Sequence, residues 1–420
     1  MEENVSKYTN AIGSGKQAIT QGQKRKGGRG MRDGWEYKKL GEVASSELGK
    51  TLNKSKDTGK LYPYICAVNV LWDMIDLTIL KHAFFEKEEI DRYSVRKGDL
   101  LVCEGGDTGR SAIWEKEEPI LYQNALHRVR FTTEMEARFA MYCLWHLKNN
   151  GQIDQKYSKG VTIKHLVKSS LLSIELPVPP LSTQLSIVSE LDKINELIRL
   201  KKEQLKDYDN LAQSIFYEMF GDPVVNEKGW EVKKLGEVAM IKTGPFGSML
   251  HKEDYITGGI PLINPMHIQN FKAVPDKDFT ISKEKAAELC NYQLKINDVI
   301  FARRGDIGRC AVISDKEAGY LCGTGSLFVR FERKLSSIYT MYVVRTTSFI
   351  KELVSKAKGA TMLNLNSSTM ENLRFPIPPL LLQQLFAQRI ELIEKQKAEV
   401  QRTIADLETL LASRMQYWFD

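Results

Sequence analysis

Residues 34–44 read GWEYKKLGEVA, and residues 229–239 read GWEVKKLGEVA. Tyr37 against Val232 is the single difference across the phrase. The match continues outward in the same order. PYICAVNV (63–70) faces PLINPMHI (261–268), and YSVRKGDLLVCEGGDTGRSAI (93–113) faces YQLKINDVIFARRGDIGRCAV (292–312). KGVTIKHLVKSSLLSIELPVPPL (159–181) faces KGATMLNLNSSTMENLRFPIPPL (358–380). A fixed order of matches at one long period marks an internal repeat, so the chain is two copies of one unit.

Each copy mixes short β-like runs, such as Leu100–Cys103 and Val299–Ala302, with turn clusters such as GGDTGR and RGDIGR. Helical patches fall around 135–148 and 338–354. A proline pair then stops the globular part, because proline fixes φ and pushes the preceding residue towards extended geometry. Beyond the prolines, apolar residues recur in steps of four and three. Ile187, Leu191, Ile194, Ile198 and Leu205 open the stripe in the first copy, continued by Tyr208, Ala212, Ile215 and Met219. Phe386, Ile390, Ile393, Val400, Ile404, Leu407, Leu411 and Trp418 form it in the second. Lys201, Lys397 and Arg414 interrupt these seams. The spacing predicts two helices of roughly forty residues, each about 60 Å long. An isolated helix with one apolar face in water is unstable, so the two are expected to pair, antiparallel as the economical arrangement. The alternative is that each packs back on its own domain. FGDP (220–223) supplies the stop of the first helix.

The expected architecture is therefore α/β (α+β): two globular domains separated by two long antiparallel coiled-coil helices in a pseudo-twofold internal repeat. The boundaries are a flexible basic arm at 1–30, domains at 31–180 and 224–379, a central helix at 181–223 and a C-terminal helix at 380–420.

Length and composition agree with soluble domains: 420 residues, 42% hydrophobic and 27% charged. No leader-like or bilayer-length apolar run is present, and the six cysteines form no CxxC pair, so a reduced cytoplasmic protein is expected. The net charge of +7 is unevenly placed. Residues 1–30 carry six Lys/Arg against Glu2 and Glu3, giving +4 and leaving +3 for the rest. GQKRKGGRG cannot bury a core and reads as a solvated arm, with phosphate contact as the functional alternative.

Catalytic signatures are missing. PVPPL and PIPPL are not the [DNS]PP[YFW] loop of amino-methyltransferases, and NPMH (264–267) lacks the second proline and the aromatic. No GxGxxG follows a strand, GSGK at 13–16 is no P-loop, and neither HExxH nor GxSxG occurs. DPVVNEK (222–228) resembles a nuclease carboxylate–lysine pattern but lies in a Gly/Pro linker. No metal site is expected. Both copies do offer glycine-rich turns with arginines, GGDTGR and RRGDIGR, and the loops SKGVTIK and AKGATMLN. Each suits phosphate contact, and each alone is also compatible with an ordinary solvated turn.

The repeated phrase, the KGDLL…GDTGR and NDVIF…RGDIGR stretches, the KG[VA]T loops and the LPVPPLSTQ/FPIPPLLLQQ helix starts together resemble the DNA specificity subunit of Type I restriction–modification systems. The resemblance covers about 31–420, leaving the basic arm without a counterpart. It implies two target-recognition domains, each reading one half of a bipartite double-stranded DNA site, and paired helices that set the unread spacer. It also implies a non-catalytic chain. Two modification (methyltransferase) subunits would bind S-adenosylmethionine, and restriction (translocase/nuclease) subunits would bind ATP and Mg. On that footing the candidate DNA-binding residues of the first domain are Lys50, Asn53, Lys54, Asn69, Arg110, Lys159, Thr162 and Lys164. Those of the second are Lys242, Thr243, Ser248, His267, Arg303, Arg304, Arg309, Lys358, Thr361 and Asn364. A coiled-coil scaffold whose end domains bind proteins is the alternative. A stand-alone restriction or modification enzyme is a third reading.

Overall fold

The computed structural model describes residues 34–52, 59–160, 164–305, 307–331, 335–357 and 364–420. The basic arm, Asn53, Lys54, Thr162, Lys358 and Thr361 lie outside them. The chain divides into two compact units, one running to Ile198 and taking in Asp406–Asp420, the other spanning Arg199–Ala405.

In the first unit an antiparallel sheet runs in the order Ala44–Leu48, Leu126–Phe131, Leu100–Cys103, Ser111–Ile113. The Leu100–Cys103 strand is buried at all four positions, as a central β-branched and leucine-rich run should be. A second sheet orders Lys81–Phe85, Lys60–Ile65, Ile120–Tyr122 and Ser94–Val95, with one parallel pairing between Lys60–Ile65 and Ile120–Tyr122. The second unit repeats the plan. Ala239–Thr243, Ser326–Phe331, Val299–Ala302 and Cys310–Val312 form the antiparallel sheet, and Ile260–Ile263 pairs parallel with Leu321–Cys322 in the other.

The KGDLL and INDVIF stretches owe their aspartate to packing. Asp99 and Asp298 are buried; each accepts a backbone N–H three residues upstream and receives an arginine in a two-pronged pair, Arg130 and Arg330 respectively. The second glycine of each GD-x-GR turn has φ near +86° (Gly109) or +100° (Gly308), and a Cβ there would press on Ile153 or Ile350.

The repeated phrase forms a strand in each unit. Glu36–Lys39 pairs antiparallel with Glu175–Val178, and Glu231–Lys234 with Arg374–Ile377, the segments that lead into the long helices. Leu40 and Leu235 then donate their N–H to Ile174 and Leu373 carbonyls, and both side chains are fully buried. The phrase is thus the clasp that closes each domain onto the start of its helix.

Those helices span Leu181–Phe220 and Leu380–Phe419. Gly221, at φ +73°, ends the first. Each unit contains part of both, and within each they run antiparallel. In the second unit Asp209 pairs with Lys397 (2.9 Å) while Phe220, further along, packs against Phe386 (ring centroids 5.3 Å). In the first, Glu190 accepts from Trp418 Nε1 (3.1 Å) and pairs with Arg414. Ile187, Leu191, Ile194, Ile198, Ile390, Ile393, Val400, Ile404 and Leu411 are buried; Leu205 and Leu407 are half-buried. Lys397 and Arg414, the interruptions of the seam, are held by these carboxylates. Beyond Ala212 the buried face moves to Phe216 and Phe220, leaving Ile215 and Met219 half-buried.

A short hairpin also reaches towards the long helix in each unit. In the first, the turn of Val70–Ile75 places Trp72 on Trp145 (5.1 Å, 6° between planes) and Asp73, at φ +56°, against Arg138 (2.8 Å) and Asn195 (2.6 Å). Arg138 also binds Asp192 on the helix (2.9 Å). In the second, Arg345 stacks on Phe271 at the hairpin turn (4.1 Å) and faces Asp209 (3.6 Å). Burial pushes the Asp73 carboxyl up to about 6, from an ordinary value of 3.8, against the opposing pull of Arg138. The folded protein therefore binds this proton more tightly than the unfolded chain. Its contribution to stability falls by up to about 3 kcal/mol as pH rises through that window, and is constant above it. Asp73→Asn is expected to remove that decline. The check is the wild-type-minus-variant difference in denaturation free energy from pH 4 to 7; a difference independent of pH would refute it.

Five of the six cysteines are buried and none is in a disulfide; burial pushes the Cys103 thiol up to about 11 and Cys310 to about 12. Among the described residues no helix is long and apolar enough to cross a membrane.

Candidate nucleic-acid interface

The antiparallel sheet of each unit ends in loops that the sequence separates widely and the fold laces together. In the first unit Lys50 N–H donates to the Tyr122 carbonyl (3.0 Å), and Asn124 N–H to that of Lys50 (3.1 Å). Glu104 N–H then donates to Ala125 (2.9 Å), and Leu166 N–H to Glu104 (2.7 Å). Lys159 and His165 exchange two 2.8 Å backbone bonds at the base of the KGVT loop, and Gly105 bridges to His165. Gly49 permits the closest approach, since a Cβ there would lie 2.4 Å from the Gln123 carbonyl. Four chain segments thus come together: the strand end at 49–52, the turn 123–125, the loop 104–110 and the paired Lys159 and His165.

The second unit repeats part of this lacing. Gly244 N–H donates to Ser326 (2.9 Å), Arg303 N–H to Gly325 (3.0 Å) and Leu365 N–H to Arg303 (2.9 Å), while Arg304 bridges to Asn364. Loop 104–110 thus neighbours the Lys159–His165 pair in the first unit, and Arg303 and Arg304 neighbour Leu365 and Asn364 in the second; KGAT (358–361) lies outside the described residues.

The individual candidates divide sharply. Lys159, Ser248 and Arg304 are exposed. Thr243 is half-buried at a strand end, and Lys242 lies over the Tyr292 ring (5.1 Å). Arg303 donates Nε–H to the Leu365 carbonyl (3.0 Å), and burial, helped by Arg304, holds its guanidinium below its ordinary pKa. Arg309 and Asn364 are half-buried, and Asn364 Oδ1 is buried without a hydrogen-bond partner among the described residues.

Others are occupied within the domain. Lys50 pairs with Glu89 (2.5 Å), donates to the Phe84 carbonyl (2.9 Å) and covers the Phe85 ring. Asn69 is buried, accepting from Cys66 N–H and donating to the Asp76 and Ile79 carbonyls, each at 3.0 Å. His267, its counterpart, is buried edge-on to Phe279, with Nδ1 2.9 Å from the Leu262 carbonyl oxygen. Arg110 donates Nη2–H to the Ala67 carbonyl (2.9 Å), and Lys164 to that of Asp154 (2.8 Å). These five side chains are engaged within their own domains. The turn 123–125 and its counterpart 323–325 escaped the sequence reading, because QNA and GTG carry no motif; only their mismatch inside well-matched flanks marks them.

Two domains with one backbone plan and different loop side chains, each with paired helix segments, define a duplicated domain. The profile for the Type I restriction modification DNA specificity domain matches twice, over residues 32–207 and 227–409. The chain belongs to that family. It is 24% identical over 371 residues to the MjaIX Type I restriction enzyme specificity subunit of Methanocaldococcus jannaschii, spanning 82% of this chain and 83% of that one. The MjaVIII specificity subunit of the same organism is 22% identical over 404 residues, covering 90% and 92%. Its fold is also shared with two solved structures. One is a Type I system S subunit from M. genitalium (15% identity, 92% of this chain and 96% of that one, TM-score 0.51). The other is a chain from work on complex assembly and conformational transition of the type I R-M system (18% identity, 92% and 97%, TM-score 0.57).

Proposed function

We infer that this chain is the DNA-reading subunit of a Type I restriction–modification complex, each domain reading one half of a bipartite target. The observation that carries this is the duplicated frame: backbone bonds donated by Gly49, Glu104 and Leu166 recur at the matching Gly244, Arg303 and Leu365, while the side chains around them differ. A constant frame with variable loops suits two heads with different base preferences. The exposed Lys159 and Arg304 supply phosphate contacts.

In this reading the paired helices set the unread spacer. Their outward leucines, among them Leu185, Leu197, Leu381 and Leu392, dock two modification subunits. S-adenosylmethionine, ATP and Mg belong to the modification and restriction subunits, and the purified chain alone neither methylates nor cleaves DNA. The same reading places the chain in the cytoplasm.

The test is to map genomic N6-methyladenine in cells expressing the chain with its cognate modification subunits. A bipartite motif is expected, and replacing residues 45–158 by those of a relative should change one half only. Changes in both halves would sink the two-head reading. Removing one heptad from each helix shortens the pair by about 10 Å, or about three base pairs of duplex. The spacer should contract accordingly or assembly should fail; an unchanged spacer would refute the ruler role. A protein scaffold, the competing reading, predicts no salt-sensitive, sequence-dependent DNA binding by the assembled complex.

A further inference from the structure

The turn 123–125 joins the strand end at 49–52 to the loop 104–110, and four of its backbone groups are hydrogen-bonded. Gln123 N–H donates to the Ile65 carbonyl (3.1 Å), Asn124 N–H to Lys50 (3.1 Å), the Gln123 carbonyl accepts from Leu126 (3.0 Å), and the Ala125 carbonyl from Glu104 (2.9 Å). The two carboxamides are the opposite. Gln123 and Asn124 are both half-buried, and neither side chain has a hydrogen-bond partner among the described residues. Each retains two donors and one acceptor. Neither is among the buried side chains left without a partner, so both amides reach solvent from a turn that its backbone bonds hold in place.

The matching turn of the second unit does not carry them, having Gly323 and Thr324 at the two positions. A Cβ at Gly323 would lie 2.1 Å from Asn264 Oδ1, and one at Gly325 would lie 2.9 Å from Pro265 Cδ. Only Thr324 offers a side chain there.

Building on the two-head reading, we propose that Gln123 and Asn124 are base-reading residues of the first domain, contacting a purine edge in its half-site, with adenine favoured. A carboxamide donates and accepts in one plane. That matches the adjacent N7 acceptor and N6–H donor that adenine presents in the major groove. Rigid backbone on both sides of the pair lets it meet the base with little reorganisation. The second domain, lacking this pair, reads its half-site by other loops.

The experiment uses the assembled complex with its cognate modification subunits and reads the methylated motif genome-wide, with methylation rates on oligonucleotide duplexes. The variants are Gln123→Ala, Asn124→Ala and the isosteric Asn124→Asp, which replaces the donor by a charge that repels N7. Wild type is expected to yield a bipartite motif. Each variant should relax or shift one position in one half and slow methylation of the original site by about five- to 150-fold, leaving the other half unchanged. Unchanged motifs with rates within twofold would overturn the assignment, as would relaxation in both halves. Loss of complex assembly by the variants would show the amides to be packing groups and overturn it too. If the wild-type complex gave no bipartite motif, the two-head reading itself would fall; a bipartite motif indifferent to these substitutions would remove only the role of the turn.

Discussion

Replacing Gln184 by leucine is expected to destabilise the first unit by about 2–5 kcal/mol, although the two side chains have similar volume. Gln184 is fully buried at the start of the first long helix. Its Nε2 donates to the Glu134 and Pro179 carbonyls, both at 2.8 Å, and its Oε1 accepts from Glu136 N–H at 2.8 Å. One carboxamide therefore satisfies three backbone groups at the junction of the proline segment, the long helix and the helix Ala137–Asn149. Leucine would leave all three dry and unpaired. Gln383 repeats the arrangement in the second unit, donating to the Pro378 carbonyl (2.8 Å) and accepting from Ser336 N–H (2.7 Å), so Gln383→Leu should behave alike. Guanidinium denaturation supplies the measurement, with the exposed Ser182→Ala as a control expected within about 0.5 kcal/mol. A Gln184→Leu protein as stable as that control would refute the role of the side chain.

Phe216→Ala is expected to cost about 3–5 kcal/mol, the range for emptying a large aromatic site. Phe216 is fully buried and touches Phe220 (5.3 Å), Tyr339 (5.9 Å), Tyr342 (6.3 Å) and Phe386 (5.7 Å), so it joins both long helices to the domain helix Ser337–Arg345. Tyr217, its neighbour, is exposed, and Tyr217→Ala should fall within about 0.5 kcal/mol. Equal losses at the two positions would show that the buried face has been misplaced.

That same residue shows where sequence reading reached its limit. The repeat, the proline-stopped helix starts and the seam from Ile187 to Ile198 were legible, because period and order are properties of the sequence itself. From Ala212 onward, steps of three and four pointed to Ile215 and Met219, whereas Phe216 and Phe220 are inside. A straight helix drifts against a seven-residue repeat, and the larger aromatic side chains fill the cluster with Tyr339 and Phe386. The candidate face was half legible for a different reason. Residue type predicts which side chains can bind phosphate or base, but not whether the domain has already used them. Lys50 and Asn69 are suitable residues whose bonding capacity is spent on Glu89, Phe84 and the turn carbonyls. Gln123 and Asn124 bear no motif, and only tertiary hydrogen bonds bring their turn beside the strand end at 49–52 and the loop 104–110.

The first compact unit has a temporal consequence. It is assembled from residues up to Ile198 and from Asp406–Asp420, so its last piece is synthesised after the whole of the second unit. At about 5–20 residues per second, roughly 10–40 s separate the two. During that interval the helix around Glu190 has neither Arg414 nor Trp418 beside it, and Phe139 lacks the edge-on ring of Phe419. The nascent chain must wait in that state while its other half matures. A ribosome stalled anywhere between 220 and 405 therefore leaves a first domain that has every one of its loops and no closure.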